Sequence, residues 1–213
     1  MHASLILLSV FGIFIPALML PGPDFIGVVR SSMTGGTKSG LFTTLGVSIG
    51  LLMYASLSLL GLSAILVQYE WLAWGVRALG AGYLIYLGLR LLFSKAARIE
   101  LEEGKGARTS STKNPFLFGF LVTLTNPKAM VLFTSVFATA VTAETPTWLL
   151  FLMIALVFLS ALLWYSIVSL FMSSKPVMRR FEKASQIIER TAGACFILIG
   201  GKLLTDARNP FST

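Results

Sequence analysis

ASLILLSVFGIFIPALMLPGPDFIGVV, residues 3–29, is the stretch whose reading decides the fold. Nothing in it is charged before Asp24, and an apolar run of about 20 residues, at about 1.5 Å rise each, is what a helix needs to cross the hydrocarbon of a bilayer. Pro21-Gly22-Pro23 then interrupts the run. Two prolines remove two N–H donors, so carbonyls of the preceding turn lose their partners. Apolar character resumes from Phe25 to Val29. The stretch therefore reads as one membrane span broken in its interior. It has neither the basic start nor the small-residue cleavage pattern of a signal peptide, so it reads as a retained first span.

The remainder of the chain follows the same pattern. Of 213 residues, 55% are hydrophobic and 12% charged, against roughly 25% charged in an ordinary soluble domain, which excludes a soluble globule. Ser39 to Tyr69 is a second uncharged block with Gly46 and Gly50 four apart, a spacing that lets helices approach closely. Trp71 to Phe93 is the third, with Trp71 and Trp74 where an interfacial belt would put them. Phe116 to Val141 is the fourth, broken at Asn126-Pro127; Thr147 to Met172 is the fifth; and about Ile188 to Leu204 is a weaker sixth, with Arg190 and Lys202 able to snorkel from its ends. The expected architecture is an all-α polytopic membrane protein with six transmembrane helices.

The net charge of +8 does not point to nucleic acid, because the basic residues crowd into loops on one side. The first, third and fifth connections hold Arg30 and Lys38, then six cations from Arg90 to Lys113, then five from Lys175 to Arg190. The opposite side has Arg77, Lys202 and Arg208. The positive-inside rule then puts both termini on the outer, periplasmic side of a cell inner membrane. Ser94 to Pro115 reads as a solvated cytoplasmic loop, and Ser173 to Arg190 as an amphipathic helix on the anionic leaflet, with Val177, Phe181, Ala184 and Ile188 on one face. One cysteine, Cys195, and one histidine, His2, leave no intrachain disulfide and no metal cluster to expect. Gly35-Gly36-Thr37-Lys38-Ser39 lacks the spacing of a phosphate loop, so no nucleotide or other cofactor is read. No constellation of catalytic groups points to an enzyme.

The two halves repeat. At an offset of 113, Arg77, Gly80, Ala81, Tyr83, Gly88 and Leu91 fall on Arg190, Gly193, Ala194, Phe196, Gly201 and Leu204; more loosely, Phe11-Gly12 falls on Phe118-Gly119, each followed by a proline break. A three-span unit used twice crosses an odd number of times, so its second copy enters the membrane in the opposite sense. The expected organisation is therefore two inverted repeats, 1–93 and 116–213, around the loop at 94–115. Such an architecture gathers a small-solute site where broken helices meet.

Three side chains are candidates there. Asp24 is either a helix cap at a membrane face or a charge inside the slab facing a cavity. Lys128 lies too far from either end of its block to snorkel, about 18 Å in a continuous helix, and needs an anionic partner or a wet cavity; an ion pair with Asp24 that opens for cargo would serve. Asn126 accompanies the second break. Pro21, Gly22, Pro23 and Pro127 supply the freed backbone groups.

Pro21-Gly22-Pro23-Asp24-Phe25, the glycine-spaced second span, Arg77-x-x-Gly80-Ala81-x-Tyr83-Leu84-x-x-x-Gly88, and Gly119-Phe120 leading to Thr125-Asn126-Pro127-Lys128-Ala129 together resemble the LysE/RhtB family of amino-acid exporters over nearly the whole chain. The resemblance implies a six-span inner-membrane carrier that expels amino acids on the proton gradient, with Asp24, Asn126 and Lys128 at its signature positions. Partners would be an amino-acid cargo, protons and lipid, and small residues on several spans would permit a homodimer. Two other readings stay open on sequence: a carrier of some other small solute, and a non-transporting membrane scaffold or sensor.

Overall fold

The computed structural model describes residues 3–62, 65, 68–93, 114–137, 145–171, 187, 189–201 and 204–205. Almost all of the loop read at 94–115, most of the amphipathic stretch 173–190 and the Arg77 side chain lie outside the described residues. What is described is helical, without a strand. Helix α1 is Ala3–Met19, and α2 is Pro23–Ser56, extended by a π-helical turn over Leu57–Leu62. Then come α3, Glu70–Phe93; α4, Pro115–Leu124; α5, Pro127–Leu132, extended by a π-helical turn over Phe133–Phe137; α6, Thr147–Phe171; and α7, residues 189–201. Pro23–Leu62, Trp74–Phe93, Thr147–Phe171 and the bent pair Pro115–Leu124 with Pro127–Phe137 are long and apolar enough to cross a bilayer. This is a polytopic membrane protein.

Helix α2 is two helices back to back. Gly36 has φ 76° and ψ 174°, a conformation that essentially only glycine adopts. In a straight helix Ser31 and Thr43 would be about 18 Å apart along the axis; here the Thr43 hydroxyl donates to Ser31 Oγ at 2.7 Å, and Ser31 and Ser39 share a second bond of 2.8 Å. The chain therefore turns back on itself at Gly36. The first arm of α2 follows α1 directly, and the second arm runs back from the turn at Gly36. Residues Gly35 to Ser39, which failed as a phosphate loop, are this turn.

Small residues set how the helices cross. A Cβ on Gly46 would overlap the Phe116 carbonyl, one on Gly119 the Thr43 carbonyl, and one on Gly50 would lie 2.8 Å from Thr123 Cβ. The second arm of α2 and α4 thus touch backbone to backbone, running parallel. Glycines 88 and 193 face each other's carbonyls, and Gly200 faces that of Ala81. Rising numbers in α3 meet falling numbers in α7, so that pair is antiparallel. On α6, Tyr165 O accepts from the Thr44 hydroxyl at 3.1 Å and Ser169 Oγ from that of Ser32 at 3.0 Å, interhelical bonds that substitute for the hydrophobic drive absent in lipid.

Helices α4 and α5 begin with the same dipeptide. Asn114 and Asn126 are both N-caps in extended conformation with proline next in the chain, and each side-chain oxygen accepts a backbone N–H two or three residues on. The axis bends by 52° between α4 and α5. Phe14 of α1 meets Phe133 and Phe137 edge-on at 5.9 and 5.6 Å between centroids, so an aromatic cluster joins α1 to the π-helical turn that follows α5.

Candidate functional site

The first break begins with proline chemistry. In a continuous helix the Ala17 carbonyl would accept from the nitrogen of residue 21, but Pro21 has no N–H. Leu20 N still donates to Pro16 O at 3.2 Å, and then α1 stops. The Lys128 ammonium fills the gap, donating to Ala17 O at 3.0 Å. Gly22, extended at φ −151°, leaves room for it, since a Cβ there would lie 3.1 Å from Lys128 Nζ. The chain re-enters helix at Pro23, with Asp24 in the first turn.

The second break is completed differently. Pro127 removes the donor that Thr123 O would take, and Asn126 N supplies one instead at 3.0 Å. Lys128 N, which would have served Leu124 O, donates to Asn126 Oδ1 at 3.0 Å. That leaves the Leu124 carbonyl, which accepts from the Tyr54 hydroxyl of α2 at 2.9 Å. Each break is thus finished by a side chain from another span, which is how irregular backbone is tolerated inside a membrane protein.

Asp24 connects the two. Its side chain is 2% exposed; Oδ1 accepts from the Thr123 hydroxyl at 3.0 Å and Oδ2 from Asn126 Nδ2 at 2.8 Å. Both donors are themselves buried. Two of the alternatives weighed from sequence do not match this geometry. Asp24 is not the helix cap, a position held by Gly22 without a side-chain bond; its carboxylate turns to the fourth span. It is also not bonded to Lys128, whose ammonium goes to a carbonyl while Asn126 stands between the two charges, bonded to the acid through its side chain and to Lys128 through its backbone N–H.

Chemically, the arrangement offers a buried carboxylate held by two neutral donors, and an ammonium with one of its three N–H groups committed to a carbonyl and two without a partner among the described residues. A proton or a cationic group can replace the donors on Asp24, and an anionic group can take the remaining N–H groups of Lys128. A narrow cavity borders Lys128, walled by residues of α1, α3, α7 and the fourth span. Among the described residues no group of three or more His, Cys, Asp or Glu gathers to hold a metal.

Of the residues singled out from sequence, Asp24, Asn126, Lys128, Gly22 and the prolines 21, 23 and 127 all come together. Sequence reasoning missed Thr123, Tyr54 and the Ala17 carbonyl. The carbonyl was within reach, because it sits four residues before Pro21; the two hydroxyls were not.

A family profile described as LysE type translocator matches residues 15–207. The threonine efflux protein of Escherichia coli K12 is 30% identical over 205 residues, covering 94% of this chain and 98% of its own. The threonine efflux protein of Salmonella typhi is 30% identical over 90% of this chain and 94% of its own. An uncharacterized membrane protein of Haemophilus influenzae is 30% identical over 98% of both. No solved structure matches the chain.

Proposed function

The chain belongs to the LysE type translocator family, which makes it a membrane exporter of small solutes, and on that premise we propose that it exports amino acids across the inner membrane at the expense of the proton gradient. The observation that carries this reading is Asp24, a fully buried carboxylate held by Thr123 and Asn126 where two helix breaks meet. A charge that deep is costly to keep, and a carrier has a use for it.

The architecture we propose is six spans in two inverted repeats. Breaks in the first and fourth spans, α3 antiparallel to α7, and the second arm of α2 parallel to α4 all agree with one three-span unit inserted twice in opposite senses. The basic connections give both termini an outer location. Exposed Trp71, Leu79 and Phe93 on α3 form surface for lipid.

In the proposed cycle the cargo ammonium displaces Thr123 and Asn126 from Asp24, and the cargo carboxylate takes the free N–H groups of Lys128. Opening outward exposes Asp24 to protons; protonation neutralises it, the cargo leaves, and the proton is released inside on return. At about 150 mV one charge moved inward is worth roughly 3.5 kcal/mol, which supports a few-hundred-fold gradient of neutral cargo. The relatives named threonine efflux protein support an amino-acid cargo.

Export measured in cells lacking their own exporters tests the reading. Asp24→Asn and Lys128→Met should each reach the membrane at normal levels and lose export. Near-normal export by either variant defeats the role given to that residue.

A further inference from the structure

The buried hydroxyls are unevenly placed. Of the nine buried serines and threonines among the described residues, six belong to α2 and α6: Ser31, Ser32, Thr43, Thr44, Ser48 and Ser169. Asp24 is 12 residues before Gly36 and Ser48 is 12 after it, so on a hairpin each lies about 18 Å from the turn. The six therefore fill the stretch between the turn and the depth of Asp24. The turn is flanked by exposed Arg30 and Lys38, which the proposed topology puts at the cytoplasmic face.

These hydroxyls serve two contacts of different kinds. Ser31 and Thr43 bond inside the hairpin and hold its arms together, and Gly46 and Gly119 lock the second arm to α4 backbone against backbone. Hairpin and α4 thus form one body. Toward α6 the contact is made by side chains: Ser32 donates to Ser169 Oγ at 3.0 Å, Thr44 to Tyr165 O at 3.1 Å and Ser169 to Thr37 O at 3.3 Å. Gly40 is pressed onto Ser32 and Ser169, where a Cβ would overlap both hydroxyls. Ser48, one turn beyond Thr44 on the same face, is 0% exposed, and its hydroxyl has no hydrogen-bond partner. A hydroxyl kept dry and unbonded is costly, and it gains when water or a polar solute arrives. Parting such a seam exchanges its bonds for bonds to water at small net cost, whereas parting an apolar seam exposes its whole area. The cluster of Phe14, Phe133 and Phe137 is a seam of that second kind.

We propose that the seam between the α2 hairpin and α6 is the inner gate of the carrier: cargo passes from the cytoplasm between them, along Ser32, Ser169 and Thr44, and Ser48 is the hydroxyl that receives its polar groups beside Asp24. This rests on the export reading, which supplies the cargo. The hairpin moves with α4 as a unit, and the three bonds to α6 are exchanged for water as the site is opened to the inner side.

The test uses the full-length protein in a Cys195→Ala background. Ser32→Cys and Ser169→Cys together place two thiols where the hydroxyl oxygens stand 3.0 Å apart, close enough for oxidation to join them. In liposomes the joined protein should lose amino-acid counterflow more than tenfold and regain it on reduction with dithiothreitol, while the oxidant leaves the rate of each single variant unchanged. Counterflow by the fully joined protein at more than half its reduced rate overturns the inference. If the pair does not join, a thiol at the inner end of the path decides. Ser48→Cys should react with a membrane-impermeant cationic methanethiosulfonate at least tenfold faster from the cytoplasmic face, in inside-out vesicles, than from the outer face, in right-side-out vesicles. No reaction from the cytoplasmic face, or a rate from the outer face as high, overturns the gate and leaves these hydroxyls as helix packing. A wild type that exchanges none of the twenty amino acids sinks the export reading instead; the Ser48→Cys rates still pass or fail the gate, because labelling needs no cargo.

Discussion

At the first break Gly22 opens α2 with no side chain to cap it, whereas at the second Asn126 caps α5 from its own side chain and gives its amide N–H to Asp24 as well. The first break is completed from outside, by the Lys128 ammonium on Ala17 O; the second completes itself except for one carbonyl, which Tyr54 covers. The two proline interruptions therefore have unequal duties. The fourth span carries the polar groups, and the first span depends on them.

That asymmetry can be broken experimentally at four points. The largest effect is expected from Asn126→Leu, which removes the cap of α5 and a donor to a buried carboxylate together: transport is lost, and thermal unfolding of the detergent-purified protein registers a loss of about 3 kcal/mol. A result no worse than a change at Gly22 would mean the two breaks are equals after all. Lys128→Met comes next, with transport at background and a stability loss of about 1–3 kcal/mol from the bared Ala17 carbonyl. Gly22→Ala should be milder, because its one tight Cβ contact is the movable tip of Lys128 at 3.1 Å; the apparent KM for cargo should change several-fold while the unfolding temperature stays nearly fixed. Smallest is Tyr54→Phe, which uncovers the Leu124 carbonyl but keeps the ring stacked on Phe133 at 5.9 Å. It should lower stability by about 1 kcal/mol and leave transport within a few-fold of normal, as read from initial rates.

Both breaks were legible in the sequence because proline acts locally: the missing N–H is a property of the residue itself. Glycines 46 and 50 were legible as packing positions for the same reason, although not which helix each would touch. The turn at Gly36 was less so, since a positive φ is invisible until the chain is seen to double back. The partners of Asp24 and Lys128 were illegible in a deeper sense. Thr123 and Asn126 lie 99 and 102 residues from Asp24, and Ala17 lies 111 from Lys128. Opposite charges invited a direct bond, but neutral donors and a bare carbonyl stood nearer in three dimensions. Tyr54 and Thr123 looked like ordinary hydroxyls on apolar spans.

The bond between Lys128 and Ala17 also has a consequence for biogenesis. A ribosome adding roughly 5–20 residues per second delivers Lys128 about 6–20 s after Ala17 has entered the translocon. Throughout that interval the Ala17 carbonyl lacks the donor it has in the folded chain, which arrives only with the carboxy-terminal half. The later half of the chain thus supplies a donor that the earlier half needs, so the two are coupled in assembly through one hydrogen bond.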